Sequence, residues 1–123
     1  MSELPRKVEK PWGHELWWAR TERYVGKLLH VKRGESLSLQ YHRVKDETIL
    51  VQSGRLLFET RAAHETQLHA IELLPGQAFH ITPGTVHRMT ALEDCDIYEV
   101  STPELDDVVR LEDRYGRVGT SKP

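Results

Sequence analysis

A single cysteine, Cys95, in a chain of 123 residues excludes an internal disulfide and fits a reducing compartment. No apolar run reaches the length of a membrane span, and the opening MSELPRKVEKPWG lacks the apolar stretch of a secretion signal. The expectation is therefore a soluble, cytoplasmic protein without a membrane partner. Charge of one sign is also missing: 17 Lys and Arg face 19 Asp and Glu, for a net charge of -2. Without a basic field, nucleic acid is not an expected partner. Fixed-period repeats and low-complexity tracts are absent, and no helical periodicity is sustained before residue 103. Histidine, by contrast, is abundant at seven residues, and so many in a chain this short need an explanation.

The turn signals are Gly34, Ser53-Gly54, Pro75-Gly76, Pro83-Gly84 and Tyr115-Gly116. Between them lie YVGKLLHV, SLSLQYH, TILVQ, RLLFET, QLHAIEL, AFHIT, HRMTAL and CDIYEV, short runs rich in β-branched, aromatic and other apolar residues. Such runs, spaced by roughly ten residues, predict an all-β sandwich or barrel. The length suits one domain: an N-terminal strand arm over about 1–25, a barrel over about 26–102 and a tail over 103–123. The charged tail PELDDVVRLEDRYGR fits a helical turn or an extended segment equally well.

The stretch SLQYHRVKDET, residues 38–48, gathers Gln40, His42 and Glu47. Side chains alternate along a strand, so Gln40 and His42 share a face. Glu47 lies an odd offset away, and a turn over Arg43–Asp46 lets it open the returning strand with Ile49 and Val51 on its own face. A carboxylate on an apolar inward face is costly unless something neutralises it, and a metal ion would do so. His87 follows the Pro83-Gly84 turn in the same manner, with Met89 and Ala91 on its face. Gln40, His42, Glu47 and His87 together form a mixed N/O set suited to one divalent ion: Zn, Mn, Fe, Co or Ni. Four protein ligands on a six-coordinate ion leave two positions for water or substrate.

At these residues the chain resembles a cupin. Gly34, His42, Glu47 and Gly54 match the first cupin motif, with Gln40 where most cupins carry His, and Gly76, Gly84 and His87 match the second. The Gln-x-His form is similar to the cupin domain that ends the bifunctional type II mannose-6-phosphate isomerase/mannose-1-phosphate guanylyltransferases. KPWGHE (10–15), RGESLSLQYH (33–42), VQSG (51–54), YEV (98–100) and VVRLEDRYGR (108–117) carry the likeness along the chain. Departures are Thr48 and Ile49, where that family has His and an aromatic, Arg33 and Thr82 at Pro positions, and Ala91 at an Asn position.

The resemblance implies an all-β double-stranded β-helix, a jelly-roll barrel, holding a metal on Gln40, His42, Glu47 and His87. It also implies a metal-dependent aldose–ketose isomerase acting on a sugar phosphate, with mannose 6-phosphate and fructose 6-phosphate the first pair. Glu99 resembles the family's closing-strand Glu and is the preferred base, with Glu35 and His80 behind it. Arg88, Arg110 and Arg117 are candidates for the phosphate, because a guanidinium pairs with it at two points. The rival readings are a metal-dependent cupin of other chemistry, such as an oxygenase, and a non-catalytic sugar-binding or regulatory cupin. His14, His30, His64 and His69 are expected on the exterior or in loops. Trp12, Trp17 and Trp18 are expected to pack the N-terminal strand against the barrel or a partner. If Gln40 and His42 point inward, Leu37, Leu39 and Tyr41 form an outward apolar row, and a homodimer covering it is expected.

Overall fold

The computed structural model describes residues 3–120. Twelve strands build two antiparallel sheets that face each other, and the described residues contain no helix. In chain order the strands are β1 (Arg6–Lys10), β2 (Gly13–Arg20), β3 (Val25–Val31), β4 (Leu39–Tyr41), β5 (Glu47–Ser53) and β6 (Leu56–Arg61). They continue as β7 (His69–Leu73), β8 (Ala78–Ile81), β9 (Val86–Ala91), β10 (Cys95–Ser101), β11 (Val109–Glu112) and β12 (Gly119–Thr120). One sheet runs β1-β2-β3-β10-β5-β8 and the other β12-β11-β4-β9-β6-β7. The expected all-β jelly roll is what the chain forms. The tail that composition left open is extended: β11 pairs with β4, so residues 109–112 complete the second sheet.

Period-two burial sorts the side chains. On β5, Glu47, Ile49 and Val51 are buried while Leu50 and Gln52 are exposed. On β10, Cys95, Ile97, Glu99 and Ser101 are buried, with Tyr98 and Val100 exposed. The core at one end of the barrel is apolar and centres on Leu29, Val31, Ile49, Leu56, Phe58 and Ile97. Towards the other end the inward positions turn polar: Glu15, Lys27, His42, Lys45, Glu47, His87, Glu99 and Arg110 are all buried. That switch from hydrocarbon to charge within one interior is what the functional site is made of.

Two glycine turns hold the frame. Gly54, between β5 and β6, has φ +88°, and a Cβ there would sit 2.1 Å from the Asp94 carbonyl oxygen, so only glycine fits. Gly84 has φ +84°, and its N–H donates to the His42 carbonyl at 2.7 Å, tying the turn before β9 to the end of β4.

The N-terminal arm is integral to the barrel. β2 carries Glu15 and Trp17 inward, and Trp12 and Trp17 are buried at 2% and 6% exposure. A bulge between Trp17 and Ala19 sends Trp18 outward over Gly26, where it stays 45% exposed. The expected outward row on β4 needs correction. Leu39 is buried, Leu37 packs against the core cluster and Tyr41 is half-buried, so a single chain covers that row already. β4 is only three residues long, and strict alternation does not extend back to Leu37.

Candidate metal centre

His42, Glu47 and His87 reach the site from three different places: the residue just after β4, the first residue of β5 and the second of β9. One ligand atom from each lies within 4.8 Å of the others. All three residues are buried, at 4%, 4% and 0% exposure. Both imidazoles are oriented from behind. His42 Nδ1 lies against the Asp107 carbonyl, and His87 Nδ1 donates to the Thr85 carbonyl at 3.0 Å. Donating through Nδ1 leaves each Nε2 with a free lone pair, the tautomer a metal-binding histidine uses. The remaining imidazole atoms, His42 Nε2 and His87 Nε2, are buried without a hydrogen-bond partner, and Glu47 Oε2 is buried beside them with Lys45 Nζ as its ion-pair partner. His42 Nε2 and Glu47 Oε2 stand 3.2 Å apart. In that tautomer two lone pairs face each other in a dry interior; the Lys45 ammonium, 3.1 Å from Glu47 Oε2, answers the carboxylate, while both imidazole Nε2 atoms stay without a partner. The donor set and the orphaned atoms therefore fit a divalent ion.

Electrostatics reinforce the arrangement. Burial pushes the Glu47 carboxyl upward, but Lys45, followed by His42 and His87, outweighs burial and holds it well below the usual carboxylate range. Burial drives His87 below an ordinary imidazole, favouring the neutral form that can ligate. Lys45 was not anticipated. Its Nζ lies 3.1 Å from Glu47 Oε2 and 3.2 Å from Glu99 Oε2, so one buried ammonium bridges both carboxylates. Burial lowers its pKa, yet Glu99 and Glu47 more than reverse that and raise it above an ordinary lysine.

Gln40 stands directly opposite His87 in the β4–β9 pairing, and its Oε1 accepts from Ser38 Oγ at 2.8 Å. Glu99 is buried at 5% exposure and joined to the trio through Lys45. Arg110 and Arg117 line a cavity of about 50 Å³ that Gln40, His42 and Lys45 also line. Arg117 is held by Asp113 at 2.9 and 3.1 Å. Arg88 is a correction: it alternates with His87 on β9 and so faces out of the barrel. There it pairs with Glu59 at 2.8 and 3.2 Å and with Glu112 at 3.3 Å. A guanidinium held by two carboxylates on the opposite face does not reach the site. His80 is likewise exposed and paired with Asp46 at 2.6 Å, and Glu35 accepts the Tyr115 hydroxyl at 2.6 Å. His64 and His69 are exposed, and His14 stacks on His30 with ring centroids 5.1 Å apart.

Sequence reasoning missed Lys10, Glu15, Lys27 and Lys45. Trp17 Nε1 donates to Glu15 at 2.7 Å, and Lys27 and Lys10 approach the same carboxylate at 3.2 and 3.9 Å. A signal was available, since Lys27 shares the inward face of β3 with Leu29 and Val31.

The family model described as mannose-6-phosphate isomerase C-terminal matches residues 1–113. The chain belongs to this family. Among curated proteins it is 35% identical to mannose-1-phosphate guanylyltransferase ManC of Salmonella typhimurium, over 94% of this chain and 24% of that protein. It is also 35% identical to the xanthan biosynthesis protein XanB of Xanthomonas campestris, over 91% of this chain and 24% of that protein. The chain thus spans about a quarter of the length of these relatives. Among solved structures, the capsular polysaccharide assembling protein CapF of Staphylococcus aureus superposes with a TM-score of 0.75 at 20% identity, covering 91% of this chain and 33% of that one. Oxalate decarboxylase of Bacillus subtilis gives 0.74 at 13% identity, covering 88% and 30%. At such identities these two show the shared cupin fold alone.

Proposed function

We propose that the protein is a metal-dependent aldose–ketose isomerase of a sugar phosphate, with mannose 6-phosphate and fructose 6-phosphate as the pair. The observation carrying this reading is the convergence of three buried ligand atoms on His42, Glu47 and His87, the two imidazole Nε2 atoms without a hydrogen-bond partner, beside a cation-lined cavity. Family membership supports the same substrate class: the family model is described as mannose-6-phosphate isomerase C-terminal, and a relative about four times this length is named mannose-1-phosphate guanylyltransferase.

His42, Glu47 and His87 would hold the ion, with Gln40, opposite His87, as fourth ligand. Held by these residues, a divalent cation would supply polarisation of the adjacent carbonyl and hydroxyl oxygens of an open-chain sugar. Isomerisation moves a proton between C1 and C2, and a positioned carboxylate must lift it and return it. Glu99 takes that role: it is buried, and its Oε2 lies one ammonium away from Glu47. Lys45 holds the two carboxylates in register, and the buried walls keep water from the reacting carbons. Metal-loaded protein should convert fructose 6-phosphate to mannose 6-phosphate in a coupled assay, and chelation should stop it. Absence of turnover with every divalent ion of the set would remove the proposal.

A second reading has its own observation. Lys45 already places a positive charge between Glu47 and Glu99, so the two buried carboxylates are neutralised without an ion, as in a module that keeps the fold and binds sugar without turnover. Calorimetric binding of a sugar phosphate with no metal retained and no turnover would favour it. A homodimer in the cytoplasm completes the proposal. Its face is the outer surface of the first sheet, where Leu16, Leu28, Tyr98, Leu50 and Ala78 align in one register row across five strands. The row's one charged member is Lys7, paired with Leu16 on the edge strand β1, so a second copy can lie across the central strands without burying like charges.

A further inference from the structure

Five cations line the cavity beside the metal-ligand trio, and they are not equally answered. Lys45 has Glu47 and Glu99, and Arg117 has Asp113. Lys10 and Lys27 share the single carboxylate of Glu15. Arg110 has none: it is 6% exposed, no carboxylate lies within ion-pair distance among the described residues, and its Nε and Nη1 are buried without a hydrogen-bond partner. Burial, followed by the charge of Arg117, pushes the Arg110 guanidinium below its ordinary range, and burial does the same to Lys10. A buried, unanswered guanidinium is costly to the fold. Its donors line a cavity where a ligand can answer them.

We infer that Arg110, Lys10 and Lys27 form a subsite for a phosphate monoester, placed so that the phosphate lies at the far end of the sugar from the reacting carbons. Three cations and one carboxylate leave an excess of two positive charges, and a phosphate monoester carries about −1.5 to −2 at neutral pH. A guanidinium with two free N–H groups suits its oxygens. The placement follows from register. His87 is opposite Gln40, and Gln40 is opposite Arg110, so the three lie in one row across β9, β4 and β11. Neighbouring strands are about 4.8 Å apart, which separates the backbone positions of His87 and Arg110 by about 10 Å. The path from His87 past Gln40 to Arg110 is best matched by a ligand with carbons between its reacting end and its phosphate, as in a hexose 6-phosphate. The identity of the sugar rests on the isomerase reading; the subsite itself does not.

The test uses the full chain after chelation, so that binding is read without turnover. Inorganic phosphate and fructose 6-phosphate should each raise the Tm of the wild-type protein, and fructose should not. Arg110→Met should weaken phosphate binding at least tenfold by calorimetry, while its Tm in phosphate-free buffer stays at or above wild type because an unanswered charge is gone. Lys10→Met should weaken binding in the same direction and serves if Arg110→Met does not fold. Arg88→Met, on the outer face, should bind like wild type. Phosphate binding that survives both Arg110→Met and Lys10→Met, or no phosphate binding by the wild type, overturns the subsite. Metal-loaded protein should prefer fructose 6-phosphate over fructose 1-phosphate, and equal affinity overturns the placement. Phosphate binding lost in Arg110→Met, in a wild-type protein that turns over no sugar, would sink the isomerase and leave the subsite standing.

Discussion

Asp107 does no chemistry in this account, yet the site depends on it. Its carboxylate accepts three consecutive backbone N–H groups, from Arg43 at 3.0 Å, Val44 at 2.7 Å and Lys45 at 2.8 Å, and its carbonyl faces His42 Nδ1. The turn between two of the candidate metal ligands is therefore fixed by a residue more than sixty positions further along the chain. Asp107→Ala should cost about 2 kcal/mol of stability in denaturant unfolding, since three amides lose a charged acceptor. Metal affinity should fall by roughly 10–100-fold, the usual effect of removing a group that orients ligands. His64→Ala, at an exposed loop position, should change neither quantity.

At the scale of elements, the β periodicity of the sequence was a sound guide wherever a strand has one apolar and one polar face. β5, β9 and β10 carry the expected inward residues, and Glu47 opens β5 after the turn that its odd spacing from His42 demanded. The same logic failed for Lys10, Glu15 and Lys27, because lysine and glutamate are read as solvent-facing by habit and their burial depends on partners from other strands. It failed for Arg88 for the reverse reason: adjacency to His87 in sequence places it on the opposite face of the sheet. Glycines offer a direct check on the frame. Gly54→Ala meets the Asp94 carbonyl and should cost more than about 3 kcal/mol. Gly34→Ala, at φ +82° with open space around it, should cost only about 1–2 kcal/mol by thermal unfolding. The tail has its own signature. Burial raises the Asp113 carboxyl, but hydrogen bonds from Arg117 outweigh this and hold it below the ordinary value. A depressed carboxylate contributes stability above its unfolded pKa of about 3.9 and loses it as pH falls through the folded value. Asp113→Asn should therefore flatten the decline of Tm on the acid side of about pH 5, and an unchanged profile would count against the pair.

Over the whole molecule, one end of the barrel is closed by hydrocarbon and the other is lined with charge, so a β scaffold with an ordinary core carries a charged interior. The outer face of the first sheet should join two copies: the native mass in light scattering should be two chains, and Tyr98→Glu should reduce it to one without unfolding the protein. The central claim, however, is the ion. Purified protein dialysed against trace divalent metals should retain one ion per chain by elemental analysis, and His87→Ala, still folded by circular dichroism, should retain none. Wild-type protein that holds no metal, or a folded His87→Ala variant that holds as much as wild type, would contradict the account.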